Sequence, residues 1–257
     1  MPFVSHSKGY GATPSKVDRT PCASSLPSAA DVLGAALLRA VCTGSAELVN
    51  AFIRAGANIG FVDALGFSAM HYVAQYGTPQ VAWLFVQRGV DVNVPDRHGR
   101  TPLFHAVRTA RSVLVHYLIA WSAKIQIDDL RMAVETGNTE DAVILVEEWI
   151  HTGKTLDTLD ELLLQAVKQR DKNMVELLLE NGARALATDT AGRTALTIAA
   201  SAEDRELALL LIEYGADPDG WNVEGNRSLA EVVKWRHLAM VELLLSKGTS
   251  SCRSLGS

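Results

Sequence analysis

Gly153-Lys154-Thr155 has the ending of a phosphate-binding loop, in which backbone amides and a lysine cradle a phosphate. The glycine such a loop needs five positions earlier is Glu148, and helical patterning precedes it where a strand is required. Ser5-His6-Ser7-Lys8 fits the S-x-x-K string of an acylating serine, but it stands in a stretch with no packing to fix its geometry. The 7 histidines show no metal-ligand spacing. Glu147-Glu148 and Asp128-Asp129 are paired carboxylates of the kind that helix ends carry routinely, and spacing argues for no Ser, His and Asp grouping. These strings point away from an enzyme and imply no cofactor and no metal.

The totals agree. A hydrophobic content of 48% is ample for stacked helices, and the net charge of −5 gives no general reason to expect nucleic acid. No apolar run reaches membrane-spanning length, and the opening residues lack the basic-then-apolar pattern of a secretory signal. Cys22, Cys42 and Cys252 form no C-x-x-C pair, so a disulfide framework or zinc site is not expected. Reduced thiols in a cytoplasmic or nuclear compartment fit best.

The strongest signal is a repeat. Asp63-Ala64-Leu65-Gly66-Phe67-Ser68-Ala69-Met70-His71 returns as Asp96-Arg97-His98-Gly99-Arg100-Thr101-Pro102-Leu103-Phe104, and again as Asp189-Thr190-Ala191-Gly192-Arg193-Thr194-Ala195-Leu196-Thr197. Gly66 to Gly99 is 33 positions, as is Gly192 to Gly225. A fixed period of this length marks units that cannot each bury a core and must stack. Such a solenoid offers an elongated binding surface more readily than a catalytic pocket.

One unit, residues 63–95, shows the physics. Asp63 and Gly66 supply turn chemistry. Ser68 is placed to cap a first helix, as Thr101 and Thr194 are later, and Pro102 sits where a missing N–H costs little. Met70, Val73 and Ala74 face inward, and Gly77 ends this helix. Val81, Leu84 and Phe85 form the apolar stripe of a second helix that Gly89 stops. Ala40, Ala74, Ala106, Ala166 and Ala199 keep the first helices slim, so that neighbouring pairs approach closely.

These units resemble ankyrin repeats. Thr101-Pro102-Leu103, Ser68-Ala69-Met70-His71, Met174-Val175-Glu176-Leu177-Leu178-Leu179-Glu180-Asn181-Gly182-Ala183 and Leu209-Leu210-Leu211-Ile212-Glu213-Tyr214-Gly215-Ala216-Asp217 carry the likeness. It implies an all-α ankyrin-repeat solenoid of about six to seven helix-turn-helix units with short β-turn fingers. Residues 1–30 read as a disordered N-terminal tail and 31–250 as the repeat domain, with a C-terminal tail at 251–257. Approximate units are 31–62, 63–95, 96–127, an irregular 128–157, 158–188, 189–221 and 222–250. Arg227, Glu231 and Lys234 polarise the last unit as a cap requires, and no added effector element is expected after 250.

The register breaks once. Ser122 to Gly182 is 60 positions, six short of two units, and Gly137 to Gly153 spans 16 where 12 is usual. Residues 138–152 should therefore form a second helix longer by about one turn. The turns near 123–128 and 154–160 should be shortened, with blunted or missing fingers.

The resemblance implies an adaptor or regulatory protein that binds another protein through finger tips and the concave inner face of the first helices. Leu65, Phe67 and Tyr76 then make an apolar-aromatic cluster, beside a basic cluster of Arg97, Arg100 and Arg108. Lys168, Arg193 and Lys234 continue the positive sign, and Trp235 is a second anchor candidate. Gln75 shares the inner face with Tyr76, and His71 occupies the slot that hydrogen-bonds between repeats. The expected partner is an acidic segment with an apolar anchor, not nucleic acid and not a membrane. The alternative is an ankyrin-fold enzyme or small-molecule binder, with a pocket at the irregular fourth unit lined by Arg131, Glu135, Trp149 and His151.

Overall fold

The structure, a computed structural model, describes residues 28–153, 157–218, 233 and 237–251. Among these are thirteen helices and no strand beyond two isolated bridges. Helices α1 (Ala29–Cys42), α3 (Ala69–Tyr76), α5 (Pro102–Arg108), α7 (Ile127–Thr136), α9 (Asp157–Gln169) and α11 (Ala195–Ser201) form a first layer. Helices α2 (Ala46–Arg54), α4 (Pro79–Val86), α6 (Ser112–Ala120), α8 (Thr139–His151), α10 (Lys172–Glu180) and α12 (Arg205–Glu213) form the second. Each helix packs on its hairpin partner and on its neighbours within its own layer, in chain order, as a solenoid requires. The last helix, α13 (Leu238–Ser251), runs through Gly248, which a 33-residue spacing from Gly182 and Gly215 would make the end of a unit.

The slim first layer is what lets the units stack. Ala40, Ala74, Ala106, Ala166 and Ala199 are all fully buried. Met70, Val73, Val81 and Phe85 are buried with them, while Leu84 packs at the edge of the core. Tight interiors of this kind punish both added and missing volume.

Five of the six second-layer helices begin on side-chain caps; α6, preceded by Arg111, does not. Ser45, Thr78, Asn138, Asp171 and Asp204 each accept the N–H three residues on, at 3.1–3.4 Å. Thr194 caps α11 in the same way at 3.1 Å. Thr101 differs from expectation: it takes an N-cap backbone conformation but makes no side-chain cap bond. Arginines then tie turns to neighbouring units, Arg111 donating to the Gly77 carbonyl and Arg170 to that of Ala202 at 2.6 Å.

The irregular stretch follows the sequence spacing. Helix α8 has 13 residues against 8 in α4 and 9 in α6 and α10. Residues 87–101 separate α4 from α5, but only 121–126 separate α6 from α7. In place of a finger there, Asn93 reaches across, donating to the Ser122 carbonyl at 3.2 Å and accepting the Lys124 N–H at 2.7 Å. Residues 154–156 of the other expected short turn lie outside the described residues, as do Arg227, Glu231, Lys234 and Trp235.

Candidate protein-binding surface

An aspartate builds each finger. Asp63 Oδ1 accepts the N–H groups of Leu65 and Phe67, both at 2.8 Å. Asp96 Oδ1 accepts those of His98 at 2.8 Å and Arg100 at 3.0 Å. Asp189 Oδ1 accepts those of Ala191 at 3.0 Å and Arg193 at 2.9 Å. The carboxylate stands in for backbone acceptors that so tight a turn cannot supply. Burial alone would raise the Asp96 carboxyl, but N–H donation from Arg100 and His98 and the bond from His105 hold it below its usual value.

Beneath the tips lies a block of rings. Phe67 is half-buried; it stacks on His71 with centroids 5.4 Å apart and meets His105 edge-on at 4.8 Å. His71 Nε2–H donates to the Arg100 carbonyl of the next finger at 3.1 Å, which leaves Nδ1 to accept the Ser68 N–H at 3.0 Å. His105 Nε2–H donates to Asp96 Oδ2 at 3.0 Å, and Gln75 Nε2–H donates to His105 Nδ1 at 3.1 Å. The acceptor on each Nε2 fixes the tautomer. Burial pushes both imidazoles below their ordinary pKa and outweighs the nearby carboxylates, so both rings are neutral. The His105–Asp96 contact is thus a hydrogen bond to a carboxylate and not an ion pair. Gln75, expected on the open inner face, is buried by this network.

On this base, Leu65 is 58% and Tyr76 54% exposed. Arg97, Arg100 and Arg108 are also exposed, and none pairs with a carboxylate among the described residues. The two tips adjoin: the Arg97 N–H donates to the Leu65 carbonyl at 3.3 Å. Tyr76 and Arg108 end the neighbouring helices α3 and α5. The Arg100 guanidinium lies 4.7 Å over the Phe104 ring, a cation–π contact that holds it in place without neutralising it.

Further along, the positive sign is spent internally. Arg193 donates to Asp189 Oδ2 through Nε at 3.0 Å and Nη2 at 2.8 Å, and Lys168 Nζ is 3.8 Å from the same oxygen. Lys234 and Trp235 lie outside the described residues. The four residues of the irregular unit do not converge. Arg131 pairs with Glu161 at 3.0 Å, Glu135 accepts from Gln165 at 3.4 Å, Trp149 sits in the core, and His151 is exposed at the end of α8.

Two contributors were not singled out by sequence reasoning. Tyr72 bridges Phe67 and Tyr76 with centroid distances of 5.9 and 6.5 Å, and its hydroxyl donates to Asp63 Oδ2 at 2.8 Å. Burial first, then that carboxylate, push its pKa up to about 12. Its i, i+4 spacing to Tyr76 was the available signal. Phe104 takes the slot that His71 fills one unit earlier, which laying one unit over the other displays.

A family model described as ankyrin repeats (3 copies) matches residues 37–129 and 163–253. A putative ankyrin repeat protein of Acanthamoeba polyphaga mimivirus is 22% identical over 228 residues, 84% of this chain but 30% of that protein. The human ASB11 ankyrin repeat domain superposes with a TM-score of 0.65 at 25% identity, covering 82% of this chain and 96% of that one. The ankyrin repeat domain of Bcl-3, described as a unique member of the IkappaB protein family, gives 0.64 at 26% identity, covering 76% and 92%. Among the described residues, no helix is long and apolar enough to cross a membrane.

Proposed function

We infer the function from one premise: the chain belongs to the ankyrin-repeat family, whose repeats are typical of protein–protein interaction. We propose that it is an adaptor or regulatory protein, acting without chemistry of its own. It grips an acidic segment bearing an apolar anchor, on the concave face of its second and third units. The observation that carries this reading is the contrast at that face. Leu65 and Tyr76 are exposed beside Arg97, Arg100 and Arg108, three cations without a carboxylate partner among the described residues. The block of Phe67, His71 and His105 beneath them is ordered by hydrogen bonds, so little entropy is lost when a partner lands. Aromatic and arginine side chains are the usual energetic centres of interfaces, and the charges chiefly raise on-rate and specificity. The reading is carried furthest by units two and three, because Lys168 and Arg193 already serve Asp189.

The test is affinity capture with mass spectrometry, comparing wild type with the double variant Tyr76→Ala/Arg108→Ala. The principal partner should be lost while thermal unfolding stays within a few degrees, since both side chains are exposed. Recovery of the same partner by the double variant refutes the placement.

A further inference from the structure

The second layer carries a surface that the concave-face reading does not use. A groove of about 750 Å³ runs between α6 and α8, lined by Val113, His116, Tyr117, Ala120, Val143 and Ile144 with Ser112 and Glu140 at its edge. A second groove of about 330 Å³ lies between α4 and α6, formed by Pro79, Gln80, Trp83, Tyr117 and Trp121. Tyr117 belongs to both, so the two make one trough across three helices. Its rings are mutually ordered: Tyr117 stacks on Trp121 at 5.4 Å, and Trp83 lies 6.0 Å from Trp121. Val113 is 61%, Trp83 48% and Tyr117 45% exposed. Helix α6 is apolar nearly all round, Ser112-Val113-Leu114-Val115-His116-Tyr117-Leu118-Ile119-Ala120, which suits a helix covered on both sides and not one facing water. The trough also sits where the repeat register breaks, against the elongated α8.

We propose that this trough docks an amphipathic helix of a partner protein, its apolar stripe flanked by arginine or lysine. Charge decides the flanks. Two arginines of these units are anchored on neutral acceptors, which orients them without cancelling their charge: Arg88 donates to the Leu84 carbonyl at 2.8 Å and to Asn50 at 2.9 Å, and Arg111 to the Gly77 carbonyl. Glu140 and Glu147, with Val143 and Ile144, fall at i, i+3, i+4 and i+7 on α8 and so share one face. Glu140, Glu147 and Glu148 are exposed and pair with no cation among the described residues. An unpaired acidic row therefore flanks the α8 side of the trough, and the faces of Trp83, Tyr117 and Trp121 add sites for a guanidinium. An extended apolar trough with few converging polar groups suits a helix laid in a groove better than a small molecule.

A labelled peptide of about 18 residues tests this, with leucine at i, i+3, i+4 and i+7 and arginine on its flanks. A matched peptide carries glutamate for arginine. The basic peptide should bind the full chain in fluorescence anisotropy, more weakly as salt rises. Tyr117→Ala and Val113→Asp should each weaken it about tenfold or more, as loss of an interface anchor does. Circular dichroism should show both variants folded, since both side chains are exposed. Tyr76→Ala/Arg108→Ala should leave this binding unchanged, so failure here is separable from failure of the concave-face reading. Equal binding of both peptides, or undiminished binding by both trough variants, overturns the proposal. So does a concentration-dependent dimer that Val113→Asp abolishes, because the occupant is then a second copy.

Discussion

Gly66 and Gly99 hold the same place in consecutive fingers, with φ of 82° and 79°, yet alanine should be tolerated very differently at the two. The conformational part is common to both. An L side chain in the left-handed region costs about 1–2 kcal/mol, offset by about 0.4–1 kcal/mol from a stiffer unfolded chain. At Gly99 an added Cβ meets nothing within 4 Å, so Gly99→Ala should cost about 1 kcal/mol. At Gly66 the Cβ would stand 2.9 Å from the Arg97 backbone nitrogen and 3.4 Å from the Asp96 carbonyl carbon. That backbone cannot retreat freely, because the Asp96 carboxylate and the His71 ring both hold the next finger. Overpacking of this kind costs about 1–3 kcal/mol, and the Arg97 N–H bond to the Leu65 carbonyl, worth about 1 kcal/mol, is strained as well. Gly66→Ala should therefore exceed Gly99→Ala by about 2 kcal/mol or more. Urea unfolding followed by circular dichroism measures both, with the slope expected to be unchanged. Equal losses would refute the reasoning, since they would mean that adjacent fingers are not sterically coupled.

Stability should depend on pH through the buried histidines. Burial holds the His71 and His105 pKa values below the ordinary 6.5, so the unfolded chain takes up protons first as pH falls. Their contribution is complete above that value and is lost as pH drops below it; Tm measured from pH 8 to pH 5 should fall, and less steeply in His105→Gln. A second loss belongs lower, where Asp63, Asp96 and Asp189, held below the ordinary 3.8 in the folded state, become protonated. Leu178→Ala, at a fully buried site on α10, should cost about 2–5 kcal/mol in urea unfolding without altering the partner-facing residues. A loss below about 1 kcal/mol would show that the stack closes over the gap.

The period and the finger residues were legible because each acts within a few positions, as was the cap at Thr194, whereas Thr101 takes the cap conformation without the bond. A turn needs its aspartate and glycine at fixed spacing, so Asp63, Asp96 and Asp189 announce three fingers directly. The elongated α8 was legible for a similar reason: the distance between helix-ending positions measures helix length, and Gly137 to Gly153 is long. The cationic stripe read from Arg97 to Arg193 was only half informative. Sequence gives the sign of a side chain but not its nearest neighbour, and Asp189 turned out to hold both Arg193 and Lys168.

What the order of residues determined by itself was therefore the stack: units of one length, slim first helices, and a break between the third unit and the fifth. Only the tertiary structure decided which polar side chains face water. Gln75 went beneath the surface because His105, thirty residues on, offers it a partner across the unit boundary. Val113 and Tyr117 were left uncovered because no further layer packs over α6 among the described residues. Local patterns fix local geometry through hydrogen bonds and excluded volume. Exposure is a property of what lies on the other side, and that is set by contacts between units.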